Sequence, residues 1–234
     1  MTHRRPDLPS GKSSWASKVL ALLAKDVRTE FRTRYALSAV FLFAFTTLTA
    51  VSFSLGAGGL AAHYISVLFW VILLFSALSG LAQSFIKEAE TKTATTLQLA
   101  AGDDIIFFGK WGFNLLLLVG LEIFLVPLFL VLLNVEVCRW WLFVAAVLLG
   151  SIGLVSSTTL IASVIAVAGV RGALFSVLSL PVLLPLLVPL VQVTENCFRP
   201  EVATSGIGEL QFLAAYAGIS LTGGWLLFPL VWRE

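Results

Sequence analysis

The sequence predicts an all-α integral membrane protein, and three observations predict it. Of its 234 residues, 59% are hydrophobic and only 12% charged, about half the charged share of an ordinary soluble domain. Six apolar runs reach the ~20 residues that a helix needs to cross a bilayer at ~1.5 Å per residue. Lys and Arg gather at alternate ends of those runs, as they do where loops fall in turn on opposite sides. The expected architecture is six transmembrane helices with both termini inside, an N-terminal interfacial elbow helix, and a short cytoplasmic helix between spans two and three.

Residues 1–14, rich in Pro, Ser and Arg, are read as a disordered cytoplasmic tail. They hold "GKSS" at 11–14, a fragment of a phosphate loop, but Pro6 stands where the leading glycine belongs and no strand precedes it. ATP binding is therefore not expected on this chain. The basic start is also too long, and lacks the short apolar region and small-residue site, for a cleavable signal peptide. Residues 15–34 form an amphipathic helix: Lys18, Lys25, Arg28 and Arg32 make a cationic stripe, and Val19, Leu23, Val27 and Phe31 an apolar row. Such a helix lies in the headgroup layer with its basic side toward anionic lipid.

A six-helix transmembrane domain is expected over 35–232, with spans at 35–55, 62–84, 112–133, 140 to about 161 or a turn or two beyond, 174–193 and 211–231. Lys18, Lys25, Arg28, Arg32, Arg34, Lys87, Lys92, Lys110, Arg171 and Arg233 fall on one side and only Arg139 and Arg199 on the other. That excess puts both termini inside. Trp140, Trp141, Trp225 and Trp232 fall near span ends, where indoles prefer to sit. No basic surface is interleaved with stacking aromatics, so nucleic acid is not an expected partner.

Between spans two and three runs "KEAETKTATTLQLAAGDDIIFFGK", residues 87–110. It has no Gly or Pro from Lys87 to Ala100, so a helix is expected there, with Gly102 as its stop. Leu97 and Leu99 would stand on it among threonines and charges, a mixed surface suited to a protein groove. Asp103 or Asp104 is placed to cap the helix leading into span three.

A few residues inside the spans carry possible mechanism. Glu122 lies in mid-span three, where an ionised side chain costs about 2.5–3.5 kcal/mol and must face protein or water. It reads either as a functional group or as a neutral, hydrogen-bonded tie between helices; Pro127 frees the carbonyl of Ile123 as one conceivable partner. Pro181, Pro185 and Pro189 recur along one face of span five and predict a bent or broken helix, either a packed kink or a hinge. Arg171 is read as a topology-holding turn residue. Cys138 and Cys197 both fall on the outer side, where an oxidising compartment allows pairing within the chain or across a dimer. His63 near the outer end of span two is read as a solvated or hydrogen-bonded histidine before a heme ligand. No Cys-x-x-Cys-His occurs, so no covalently bound heme is expected.

Two stretches carry a resemblance to a known family. "FIKEAETKTATTLQL" followed by "FFGKWGFNLLLLVGLEIFLVPLF", with Gly109, Lys110, Asn114, Glu122, Pro127, Leu128 and Phe129, and then "GVRGALFSVLSLPVLLPLLVP", resemble the CcmB family of ABC-2 type permeases over about residues 15–232. The family's coupling segment usually reads Asp-Gly-Thr-Leu-Glu; here the Gly is missing and Gln98 stands at the acidic position.

The resemblance implies the permease of the heme exporter of cytochrome c maturation, in the bacterial inner membrane, as a homodimer driven by a separate ABC ATPase. That motor would grip Glu88, Glu90, Thr95, Leu97, Gln98 and Leu99. Heme is implied as cargo, with heme-handling membrane subunits and a periplasmic heme chaperone as further partners. The residues leave open whether heme itself is moved or the loaded chaperone released. The resemblance also favours short outer helices between spans five and six, at 194–209. The alternative is a general ABC-2 exporter of lipid, glycan or drug. An ion-coupled transporter would want several intramembrane ionisable groups and internal repeats, and a scaffold would need no coupling segment.

Overall fold

A computed structural model describes residues 14–55, 60–81, 101–168, 173–199 and 206–232. Among them are seven helices: α1 (Trp15–Thr33), α2 (Tyr35–Leu55), α3 (Ala62–Gly80), α4 (Asp103–Leu132), α5 (Trp140–Ala168), α6 (Ala173–Phe198) and α7 (Ile207–Trp232). Helices α3 to α7 are long and apolar enough to cross a membrane; α2 contributes a shorter apolar helix, Val40–Ser54. Five such spans among the described residues, where the sequence predicts six, make this a multi-pass membrane protein.

The distribution of polarity is inverted relative to a soluble fold. Ile123, Val131 and Ile219 are more than 70% exposed, whereas Lys110, Asn114, Glu122 and Thr159 are buried. Apolar groups outside and polar groups inside suit a bundle whose solvent is hydrocarbon.

Helix α5 is the hub, packing against α7, α6 and α4, while α2 and α3 form a side pair joined to α4 and α6 respectively. Its centrality follows from small residues: a Cβ on Gly150 would stand 2.5 Å from Trp70 Cη2 and 3.0 Å from Leu190 Cδ2, so only glycine lets α3 and α6 approach here. Trp70 fills that corner, its Nε1 donating to Thr194 Oγ1 at 2.8 Å. Glu122 of α4 meets Ser151 of α5 while the earlier Asn114 meets the later Thr159, so the two helices run antiparallel. In contrast, Phe41 packs on Phe124, and Ser52 Oγ donates to Leu132 O (3.2 Å), so α2 and α4 run in the same direction.

Three boundaries differ from the sequence reading. Helix α4 starts at Asp103, well before the expected 112, and Gly102 rather than either aspartate is its N-cap, with no side-chain cap. Asp103 and Asp104 instead sit in the first turn, where carboxylates complement the helix dipole. Helix α6 runs unbroken through Pro181, Pro185 and Pro189 to Phe198, so 194–198 continue the span rather than forming a separate outer helix. Helix α7 begins at Ile207, after Gly206 turns the chain at φ +63°.

Candidate functional site

The polar groups of the bundle converge on α4, and the first of them tie it to α1. Ser14 caps α1, its hydroxyl accepting from Ser17 N–H at 3.3 Å. The helix then packs along the N-terminal third of α4. Its buried face is Leu22, Asp26 and Glu30, in steps of four, with Val19, Leu23 and Val27 beside it. Phe31, placed by its period with the apolar row, is 64% exposed. Gly109 is what permits the contact: a Cβ there would lie 2.6 Å from Leu22 Cδ2.

Beside that glycine, Lys110 Nζ stands 2.9 Å from Asp26 Oδ2, a charge contact rather than a well-aligned hydrogen bond, and Lys25 Nζ approaches Asp26 Oδ1 at 3.3 Å. The lysine is 1% exposed. Lys110, which reads as a loop charge, and Asp26 of α1 are thus a buried ion pair joining two helices. Trp15 adds an edge-on contact with Phe108 at 5.4 Å. On the far side of α4, Trp225 Nε1 donates to Asp104 Oδ1 at 3.2 Å and Phe107 packs on Phe228, bringing in the end of α7.

Further along α4 the partners are hydroxyls of α5. Trp111 Nε1 donates to Ser156 Oγ (3.0 Å) and Asn114 Nδ2 to Thr159 Oγ1 (3.1 Å). Glu122 is buried and its Oε1 meets Ser151 Oγ, which also lies 2.7 Å from Val147 O. If Glu122 is ionised, one hydroxyl proton is shared between two acceptors. Each contact has a proton of its own when Glu122 is a carboxylic acid that donates to Ser151, and Ser151 donates to Val147 O. The tie is then neutral, the form that hydrocarbon surroundings favour.

Pro127 sits on the exposed side of α4, and Glu122 turns to Ser151 rather than to the carbonyl of Ile123. Pro181 and Pro185 of α6 are exposed and Pro189 buried; between the first two, Val182 O accepts from Tyr216 Oη at 2.7 Å, and Tyr216 Oη also meets Ser157 Oγ at 3.2 Å. A tyrosine of α7 thus bridges to the proline-bearing helix and to α5. His63 Nδ1 pairs with Glu195 Oε2 at 2.8 Å, and Arg199 holds the other oxygen at 2.6 Å. Cys138 N–H donates to Cys197 O at 2.9 Å, so the two residues are neighbours, with both thiols free.

Glu88, Glu90, Thr95, Leu97, Gln98, Leu99 and Arg171 lie outside the described residues. Sequence reading missed Asp26, Ser151, Thr159 and Tyr216. A signal existed for the hydroxyls: "SIGLVSSTTLIAS" packs seven hydroxyl-bearing or glycine positions into one apolar span, beyond what lipid-facing helices need.

A bundle of long apolar helices with polar groups buried between them is a multi-pass membrane protein. A family model described as CcmB protein matches residues 17–223, nearly the whole chain, and the chain belongs to that family. CcmB is the heme exporter permease of the cytochrome c maturation system, and the family implies an ABC system with its ATPase on a partner chain. Comparison with curated proteins gave no match.

Proposed function

We propose that this permease is a six-span, N-in/C-in subunit of the bacterial inner membrane. In this reading it works as a homodimer, and segment 87–100 is the handle its ATPase grips. The proposed cargo is heme, passed to heme-handling membrane subunits and a periplasmic chaperone, and held without covalent attachment. The observation that carries the coupling part is the bracing of α4 at its inner end: the helix that follows the segment is held to α1 by Lys110–Asp26 and to α7 by Asp104–Trp225. A handle transmits force only when it is joined to something rigid, and α4 is rigidly joined. The parallel course of α2 and α4 supports an odd-numbered role for both in the span order.

The test is to reverse Glu88 and Glu90 to Lys, and separately to make Leu97→Asp, in a strain carrying the whole system. Covalent heme staining of the membrane fraction and co-purification of the ATPase should both be lost. Unchanged ATPase recovery and turnover in both variants would remove the segment from the mechanism. Normal c-type cytochromes after deletion of the whole permease would favour a lipid, glycan or drug as cargo.

A further inference from the structure

The corner between α1, α2 and α4 holds a partly open cavity of ≈ 550 Å³, lined by Val27, Phe31, Leu37, Phe41, Phe113 and Leu117, with Glu30 buried in its wall and Arg34, Leu116 and Gly120 exposed around it. Its walls are almost wholly apolar, and its size is within the ~300–1,000 Å³ of small-molecule sites. Its depth can be read from the helices. Ser52 reaches Leu132 O, so the outer ends of α2 and α4 are level. Helix α2 has 21 residues, about 31 Å at ~1.5 Å each, which matches a hydrocarbon core of ~30 Å. Its inner end, Arg34, therefore stands at the boundary between acyl chains and headgroups. Helix α4 has 30 residues and continues inward past that level, with α1 packed along the excess.

Arg34 is the single residue between α1 and α2, held at φ 55° in the left-handed region, its N–H bonded to Glu30 O. A non-glycine residue there costs about 1–2 kcal/mol, so the elbow fixes this side chain at the cavity mouth. Among the described residues its guanidinium has no ion pair or hydrogen bond. Glu30, the acid of the lining, is buried against the α2 backbone, its Oε1 accepting Leu37 N–H at 3.0 Å. An unpaired, strongly charged fork at headgroup depth, above an apolar slot open to the lipid side, matches one ligand in both parts. Arginine pairs with phosphate through two parallel hydrogen bonds, and basic pockets between membrane helices bind acidic headgroups.

We propose that this cavity is a binding site for one acidic phospholipid, with its phosphate on Arg34 and an acyl chain between Phe41, Phe113 and Leu117. The site requires only that α1 lie at a lipid boundary, so it stands apart from the cargo and from ATPase coupling.

The experiment is native mass spectrometry of the purified full chain, titrated with phosphatidylglycerol and with phosphatidylcholine of the same acyl chains. The expected result is one tightly retained phosphatidylglycerol per chain, preferred about fivefold, the contribution of one basic residue near the surface. Arg34→Gln should abolish the preference, while Arg28→Gln, a charge removed from α1 away from the rim, should leave it intact. Gly120→Leu should block retention of both lipids, since a Cβ at Gly120 meets no atom within 4 Å and the larger side chain can turn into the slot without disrupting packing. Equal retention of the two lipids by the unaltered chain would overturn the proposal. So would Arg28→Gln acting like Arg34→Gln, or retention unaffected by Gly120→Leu. A cross-link between two copies through Phe31→Cys that forms in bilayers rich in phosphatidylglycerol would assign the slot to a second chain instead.

Discussion

Two carboxylates are buried against the same helix, and they are accommodated in opposite ways. Asp26 meets α4 near its N-terminal end with a full countercharge, Lys110 at 2.9 Å and Lys25 at 3.3 Å. Glu122 meets α5 in the middle of an apolar span with only a hydroxyl, which also lies against Val147 O. The difference follows the environment. A buried carboxylate stays charged where a countercharge is held beside it, whereas with only a hydroxyl beside it a neutral hydrogen-bonded pair is the form that apolar surroundings favour. The first contact is a clamp between helices; the second is a tie that can be kept without charge.

Substitutions break or sharpen this contrast. The largest effect is expected at the clamp. Asp26→Leu leaves Lys110, 1% exposed, facing an apolar side chain, and should cost about 3–5 kcal/mol. Asp26→Leu combined with Lys110→Met should recover most of that, because a matched apolar pair replaces the ion pair. Thermal unfolding of the purified protein in detergent, followed by circular dichroism, checks both. If single and double variants melt alike, the pair is an incidental contact.

A smaller loss is expected from Ser151→Ala, about 1–2 kcal/mol, since it strands a buried carboxyl without a partner. The smallest is Glu122→Gln, at about 0.6 kcal/mol or less, because the amide donates to Ser151 as a carboxylic acid does. Were Glu122→Gln as damaging as Ser151→Ala, the carboxyl would be ionised and the contrast would fail. Covalent heme staining divides the roles further: normal c-type cytochromes in Glu122→Gln make the residue a tie between helices, and their loss gives its proton a part in transport.

How much of this was legible in the sequence depended on what each residue needed to be understood. The starts of α1, α2, α3 and α5 fall where apolar periodicity and flanking charge place them, because hydrophobic length is a local property. The start of α4 was missed for a physical reason. Asp103, Asp104 and Lys110 look like loop charges until Trp225 and Asp26, distant in the chain, are seen to partner them. The same holds for α1, whose obvious apolar row is not its buried centre: Asp26 and Glu30 go inward because Lys110 and the Leu37 N–H receive them. At Glu122 the sequence narrowed the choice to a functional group or a neutral tie, and only Ser151 supplied a hydrogen-bond partner to reason from. The α5 hydroxyls carried a readable pattern, yet which α4 side chain each would meet is a matter of packing.

The first turns of α4 carry one fastening on each flank, Asp104 to Trp225 and Lys110 to Asp26. Under the proposed coupling, a displacement arriving through the residues before Asp103 would be passed to α1 and α7 together, so that the helices at the two ends of the chain order would share a single stroke.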